Sequence, residues 1–202
     1  LDGARQNFAS AHDGVLFLDP SLLRRVETVR GAGSSLYGSG AAGGVIAFET
    51  LQAEDMLEPG ETAAALASAG YRSVNEETRG ALGLFGRAGG FDLAGAVSAR
   101  ASGDIELGSD ETLPASDEIL SGLVTVSREF APGLRAEIGW VGFENEAEEP
   151  NNGQGVNLAG PGNALTEKTV RADTFRGRIN FNPQDQRLID VDAVAYLTES
   201  TV

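Results

Sequence analysis

The chain contains no cysteine and a single histidine in 202 residues. Without thiols there is no disulfide framework and no thiolate metal site. One imidazole excludes a self-contained HExxH motif or a two-histidine metal site. It also leaves Ser–His and Cys–His nucleophile pairs few places to form, so no enzyme is read from the sequence. Basic residues are scarce: 15 Lys and Arg stand against 30 Asp and Glu, a net charge of −15. No basic stripe is available to neutralise phosphates, which excludes a nucleic-acid partner. No apolar run reaches the ~18 residues of a membrane-spanning helix. No secretory signal opens the chain, and Leu1 is not an initiator methionine, so it reads as a processed product or an internal piece.

Glycine, by contrast, is abundant, with 27 residues. The stretch GSGAAGG, Gly38 to Gly44, fits G-x-G-x-x-G. A dinucleotide loop needs a strand before it and a helix opening after it, so that free N–H groups meet the pyrophosphate. Here a Gly- and Ser-rich stretch precedes the glycines. The β-branched and aromatic run VIAFET follows them and reads as a strand. No Lys-Ser or Lys-Thr follows either, which removes a P-loop. The glycines are read instead as tight turns and close backbone packing.

The chain changes texture along its length. In LDPSLLRRVETV, Asp19 is placed as an N-cap and Pro20 at the first helical position, which predicts a short helix over about 20–24. RVETVRG and GGVIAFET then read as strands, giving a compact mixed α/β piece. After about residue 60, segments of roughly ten residues alternate apolar and polar side chains. Phe91, Leu93, Val97 and Ala99 fall on one face; Leu134, Ala136, Ile138 and Trp140 do the same. So do Ile179 and Phe181, and Ile189, Val191, Ala193, Ala195 and Leu197. With Ala- and Gly-rich runs at 62–74 and 77–88 and another at 118–130, about seven strands are counted.

Two architectures fit this alternation. A soluble sandwich puts the apolar face inward; a membrane barrel turns it to lipid and the polar face to a wet interior. Three features lean to the barrel. The segments are long enough for a tilted crossing. Tight turns at 88–90 and 131–133 alternate with long acidic stretches at 101–117 and about 144–170. Trp140 and Phe143 are placed near a strand end, where an aromatic girdle sits. In the barrel reading Leu134, Ile138, Trp140, Ile179, Phe181, Ile189 and Val191 face lipid. Arg135, Glu137, Arg176, Arg178, Asp190 and Asp192 line the interior wall.

One segment carries a resemblance. LLRRVETVRGAGSSLYGSGAAGGVIAFET, residues 22–50, is similar to the end of the plug domain of TonB-dependent outer-membrane receptors. The matching residues are Glu27, Arg30, Gly31, Ser35, Leu36, Tyr37, Gly38, Gly40, Ala41, Gly43, Gly44 and Ile46. Upstream, LDGARQNFASAHDGVLFLDPSLLRRVE resembles the haem and haemoglobin receptor branch of that family; SGDIELGSDETLPASD, EEPNN and VRADTFRGRINF resemble it more loosely. The resemblance implies an α+β plug segment followed by antiparallel transmembrane β-barrel strands, part of a barrel of about 22 strands. It divides the chain into the C-terminal part of a plug, residues 1–55, and the N-terminal part of a barrel, residues 56–202. It implies an outer-membrane receptor that imports haem, taken from haem or haemoproteins, through a TonB energy-transducing complex and among outer-membrane lipid. A receptor of the same fold for a ferric siderophore or another nutrient, and a non-transport β-rich binding or scaffold module, stay open as alternatives.

Within that resemblance His12 is the candidate axial ligand for haem iron, since neutral imidazole ligates it well. Phe8 and Phe17 flank it with apolar faces for a porphyrin, and a second axial ligand would come from a barrel loop. Read from the residues alone, His12 is a surface-loop histidine. Tyr37 is chemically able to bind haem iron, but it belongs to the general plug motif and is assigned to packing. Asp104, Glu106, Asp110, Glu111, Glu144, Glu146, Glu148 and Glu149 lack the spacing of a calcium loop and read as solvated external loops.

Overall fold

The computed structural model describes residues 1–6, 16–31, 33, 41, 43–108, 112–150, 164–183 and 188–202. Pro20–Leu22 forms a single 3-10 turn, opened by Asp19, whose Oδ1 accepts the Ser21 N–H at 2.8 Å. The predicted helix ends early because Leu23 already has extended backbone and begins strand β1, Leu23–Arg30. β1 pairs antiparallel with β2, Gly44–Thr50. Gly44 has φ +138°, and a Cβ there would lie 2.6 Å from the Val29 carbonyl oxygen. This last glycine of GSGAAGG is required by close strand approach. One helical turn, Ala53–Met56, follows, with the Asp55 carboxylate accepting the Gln52 N–H at 2.8 Å.

The remaining strands are β3 (Ala63–Arg72), β4 (Glu77–Ala88), β5 (Phe91–Ser102), the short β6 (Ile105–Glu106) and β7 (Thr112–Leu113), β8 (Ser116–Ala131), β9 (Leu134–Pro150), β10 (Leu165–Phe181) and β11 (Val191–Thr201). Seven of them form one sheet in the order β11-β10-β9-β8-β5-β4-β3, with every neighbouring pair antiparallel. β6 and β7 pair only with each other, so the stretch 101–117 holds a small hairpin of its own. The β4–β5 and β8–β9 turns are tight and lie, with 182–190, at one end of the sheet. The turn 73–76 and the connections 103–115 and 151–164 lie at the other.

Strands β9 and β10 are 17 residues each and pair in continuous register from Pro150–Leu165 to Leu134–Phe181. Within the expected long loop at about 144–170, residues 144–150 and 165–170 are therefore strand. Its acidic composition reads as solvated loop, but it keeps period two: Phe143 and Asn145 are buried, while Glu146 and Glu148 are exposed. Alternation, not hydrophilicity, decides whether backbone continues as strand. The expected girdle pair at Trp140 and Phe143 is corrected for the same reason. The two lie three residues apart on β9 and so point to opposite faces. Phe143 is buried on the inner face; Trp140 lies on the outer face and donates its indole N–H to Asp173 Oδ1 at 2.9 Å.

The outer face is apolar and exposed. Leu82, Leu84, Leu93, Val97, Leu120, Val124, Ile138, Phe175, Ile179, Val191 and Leu197 all lie open on it. Of the residues expected there, Ile138, Ile179 and Val191 are exposed; Leu134, Trp140 and Phe181 are half-covered by neighbours on the same face. Ile189 is exposed just before β11 begins. The opposite face buries small and polar residues, among them Ala81, Ala94, Ser98, Ser121, Thr125 and Asn145. An apolar patch of this extent is far larger than a soluble monomer tolerates, and the inverted polarity is that of a barrel wall.

Ile138 is 66% exposed at the middle of that face. Ile138→Arg in the complete protein reconstituted in lipid vesicles is expected to cost about 2–4 kcal/mol near the bilayer midplane. The cost reads as a lowered denaturant midpoint at unchanged slope; an unmoved midpoint would take Ile138 out of lipid.

Candidate functional site

The N-terminal segment packs against the inner face through two apolar contacts. In the first, Leu18, Leu22, Ala53 and Leu57 meet Ala81, Phe85, Ala94, Leu123 and Val141 of the wall. Two of the wall residues, Ala81 and Ala94, are small, which lets the segment approach the pleated surface closely there. Leu22 is fully buried there. In the second, Phe17 stands edge-on to Phe143, with ring centroids 5.8 Å apart, beside Val170 and Ala172. Edge-to-face geometry is the favoured one for such a pair.

Beside these contacts lies a buried charge centre. The Arg176 side chain on β10 is 2% exposed, Asp2 8% and Glu137 12%. Arg176 Nε and Nη2 donate to Glu137 Oε1 at 3.1 and 2.7 Å, and Nη1 pairs with Asp2 Oδ2. Asp2 also accepts the Thr50 N–H at 2.8 Å and the Thr50 hydroxyl at 2.9 Å. One carboxylate thus ties the end of β2 to the wall. The guanidinium has room because Gly139 faces it: a Cβ there would come within 3.2 Å of Arg176 Nε. Taking one cation and two carboxylates out of water is costly, and close charge-assisted hydrogen bonds offset that cost.

Weaker polar contacts surround this centre. Gln6 Nε2 donates to Thr174 Oγ1 at 3.1 Å. Arg135 donates to Glu54 at 2.8 Å and to Ser127 at 2.8 Å, bridging the helical turn to β8 and β9. Arg24 on β1 pairs with Glu49 at 2.9 Å and with Asp55 at 3.5 Å. Burial alone lowers the pKa of this guanidinium; Asp55 and Glu49 outweigh it and leave the pKa raised. A cavity of about 1100 Å³ separates β1 and β2 from the wall, bordered by Gln6, Leu16, Glu27, Arg178, Asp192 and Tyr196.

The expected ligand His12 and its neighbour Phe8 fall in 7–15, and Tyr37 in 34–40, outside the described residues. Asp110 and Glu111 also lie outside them. The described flanks of 7–15 both meet the wall. Gln6 bonds Thr174, and Phe17 packs on Phe143, whose register partner Ala172 lies two residues from Thr174. Among the expected wall residues, Arg135, Glu137, Arg176, Arg178 and Asp192 carry the contacts just described or pair with each other, as Arg178 does with Asp192. Asp190 precedes β11 and is exposed. Of the acidic residues, Asp104 accepts the Ala115 N–H at 3.1 Å, Glu144 lies 3.6 Å from Arg171, and Glu149 pairs with Lys168. Sequence reasoning did not assign Asp2 or Gln6 to this interface. A contact spanning 168 residues, as from Gln6 to Thr174, has no local signature.

Arg176→Ala would leave Asp2 and Glu137 buried without their cation. It is expected to destabilise docking of the N-terminal segment on the wall by about 3–5 kcal/mol, read by denaturant titration and by faster proteolysis of the segment in the complete protein. Unchanged protease resistance would show that the apolar contacts alone hold it.

Residues 1–45 match the family model of the TonB-dependent receptor plug domain. The chain is 34% identical over 208 aligned residues to a hemin receptor of Yersinia pestis, covering 98% of this chain and 29% of that protein. It is 44% identical over 75 residues, 37% of this chain, to a heme/hemopexin utilization protein C of Haemophilus influenzae. The fold matches that of the FrpB iron transporter from Neisseria meningitidis (F3-3 variant), with a TM-score of 0.78 at 20% identity over 91% of this chain and 30% of that one. The chain thus spans about three tenths of the length of the hemin receptor and of the FrpB chain, and the match to the heme/hemopexin utilization protein spans 11% of that protein. By its plug match and its 34% identity to a hemin receptor over 98% of its length, the chain belongs to the TonB-dependent receptors.

Proposed function

We propose that the chain is part of an outer-membrane receptor of a Gram-negative bacterium that imports haem, and that it carries no catalytic step. The observation that carries this reading is the 34% identity to a hemin receptor across 98% of the chain, plug segment and wall alike. Residues 1–55 are assigned to the plug and residues 56–202 to the barrel wall. The apolar outer face meets lipid. The polar inner face holds the plug, and the end bearing the longer connections faces outward from the cell.

Haem, free or carried by a haemoprotein, is here the transported substrate. His12 is assigned as the plug-side axial ligand. Support comes from imidazole chemistry and from the anchoring of residues 6 and 17, on either side of it, at adjacent positions of β9 and β10. A TonB energy complex acts on the plug through parts of the receptor other than this chain. Displacing the plug requires breaking its wall contacts. Those made by hydrogen bonds exchange for bonds to water at about 0.5–1.5 kcal/mol each; the Arg176 centre and the two apolar contacts are the strong points.

The test is spectroscopic. In the full-length receptor, His12→Ala is expected to weaken haem binding and to shift the Soret band, while uptake through other receptors is untouched. An unchanged spectrum and affinity would remove His12 from the site. Binding of a ferric siderophore with no haem binding in the unaltered receptor would overturn the haem reading itself.

A further inference from the structure

The wall carries a second cluster that no described contact of the N-terminal segment uses. On the inner face, near the 73–76 turn, Arg72, Arg79 and Arg100 lie on adjacent strands. Arg79 is register partner to Gly70 on β3 and to Arg100 on β5, while Arg72 is partner to Glu77. Arg79 shares its strand face with the buried Ala81 and Phe85, so it points inward. Two like charges directly opposite each other destabilise a strand pair. Glu77 and Asp117 offset part of this: Arg72 lies 3.5 Å and Arg100 3.8 Å from Glu77, and Arg100 pairs with Asp117.

Arg79 has no such partner among the described residues. Every other arginine of the long strands except Arg128 does. Arg87 pairs with Asp92 at 2.6 Å, Arg135 with Glu54 at 2.8 Å, Arg171 with Asp173 at 3.0 Å and Arg176 with Glu137 at 2.7 Å. Arg178 pairs with Asp192, and Arg128 lies 4.7 Å over the Phe91 ring. In a chain with 30 acidic and 15 basic residues, a guanidinium without a carboxylate does not reflect a shortage of carboxylates. The position also has room for it. Gly70 leaves the adjoining site bare, and a Cβ there would come within 2.8 Å of Arg79 Nε. The Arg79 side chain is exposed, so its five N–H donors remain open to a ligand.

We propose that Arg79, flanked by Arg72 and Arg100, is an anion-binding station of the inner wall that takes a carboxylate of the cargo. This rests on the haem reading above, because haem carries two propionate carboxylates on one edge. A guanidinium fork matches a carboxylate bidentately. The cluster holds three cations against two carboxylates, so it retains positive charge to offer. It stands at the end of the wall that bears the longer connections. A cargo held there by its acidic edge keeps its iron free for a ligand elsewhere.

The experiment uses the full-length receptor in detergent, titrated with haemin and with haemin dimethyl ester, which has the same iron and ring but no carboxylates. The unaltered receptor is expected to bind haemin more tightly than the ester. Arg79→Gln is expected to lose roughly tenfold in haemin affinity, about one charge-assisted hydrogen bond, with ester affinity unchanged. Arg79→Lys is expected to recover part of the loss. Since Arg79 makes no ion pair among the described residues, the substitution removes no described ion pair of the wall. Equal weakening of both ligands would mean a structural role and overturn the proposal, as would unchanged haemin affinity. No Soret titration in the unaltered receptor would overturn the haem reading, and the proposal with it.

Discussion

The pleat of the seven-stranded sheet sends successive side chains to opposite faces, and in this chain it sends the apolar ones outward. Leu84, Ile138, Phe175 and Leu197 stand exposed, while Ser121, Thr125 and Asn145 are buried. Such a sheet has no dry core of its own to fold around. In the proposed receptor its apolar face meets lipid, and its inner face needs something that tolerates polar neighbours. The N-terminal segment fills that role, and its features follow from this requirement. It touches the wall with two limited apolar patches, where Ala81 and Ala94 keep the wall shallow, and with polar contacts elsewhere.

The buried Asp2–Arg176–Glu137 centre is the costliest of those contacts to assemble. Its geometry fixes register more than it adds net stability, since desolvation offsets much of the attraction between buried ions. Asp2 holds Thr50 at the end of β2 while it meets β10, so it aligns the small β1–β2 sheet on one level of the wall. Around it, the Gln6–Thr174 and Arg135–Glu54 contacts are of the kind that water replaces at small cost. Under the proposed import function a plug that moves suits this distribution, with one specific lock set among exchangeable bonds.

Much of the architecture was legible because β-strands announce themselves by period two. Each of the seven long strands overlaps a segment legible as strand in the sequence, and the tight turns at 88–90 and 131–133 are marked by glycine. At two places composition misleads where period does not. The acidic residues 144–150 read as loop by composition, although Glu146 and Glu148 alternate with Asn145 and Ala147 as strictly as any strand. Trp140 and Phe143 were paired as a girdle by aromatic character, although an odd separation puts them on opposite faces. At the N-terminal end Asp19 and Pro20 marked the helical start correctly, but nothing local showed that it would last only one turn.

The sequence by itself determined the strand segments, the two faces of each and the plug motif, because these depend on neighbours one to four residues apart. It also determined the chain's kinship, through residues 1–45 above all. Only the tertiary structure decided that Asp2 answers Arg176, that Phe17 meets Phe143 and that Arg79 is left opposite Arg100 without a carboxylate. Each of these depends on the register between strands and on how the N-terminal segment lies against them. A one-residue slip in register reverses the face that every side chain presents. Charge pairing across so many residues is therefore set by the sheet as a whole, and no local pattern in the chain encodes it.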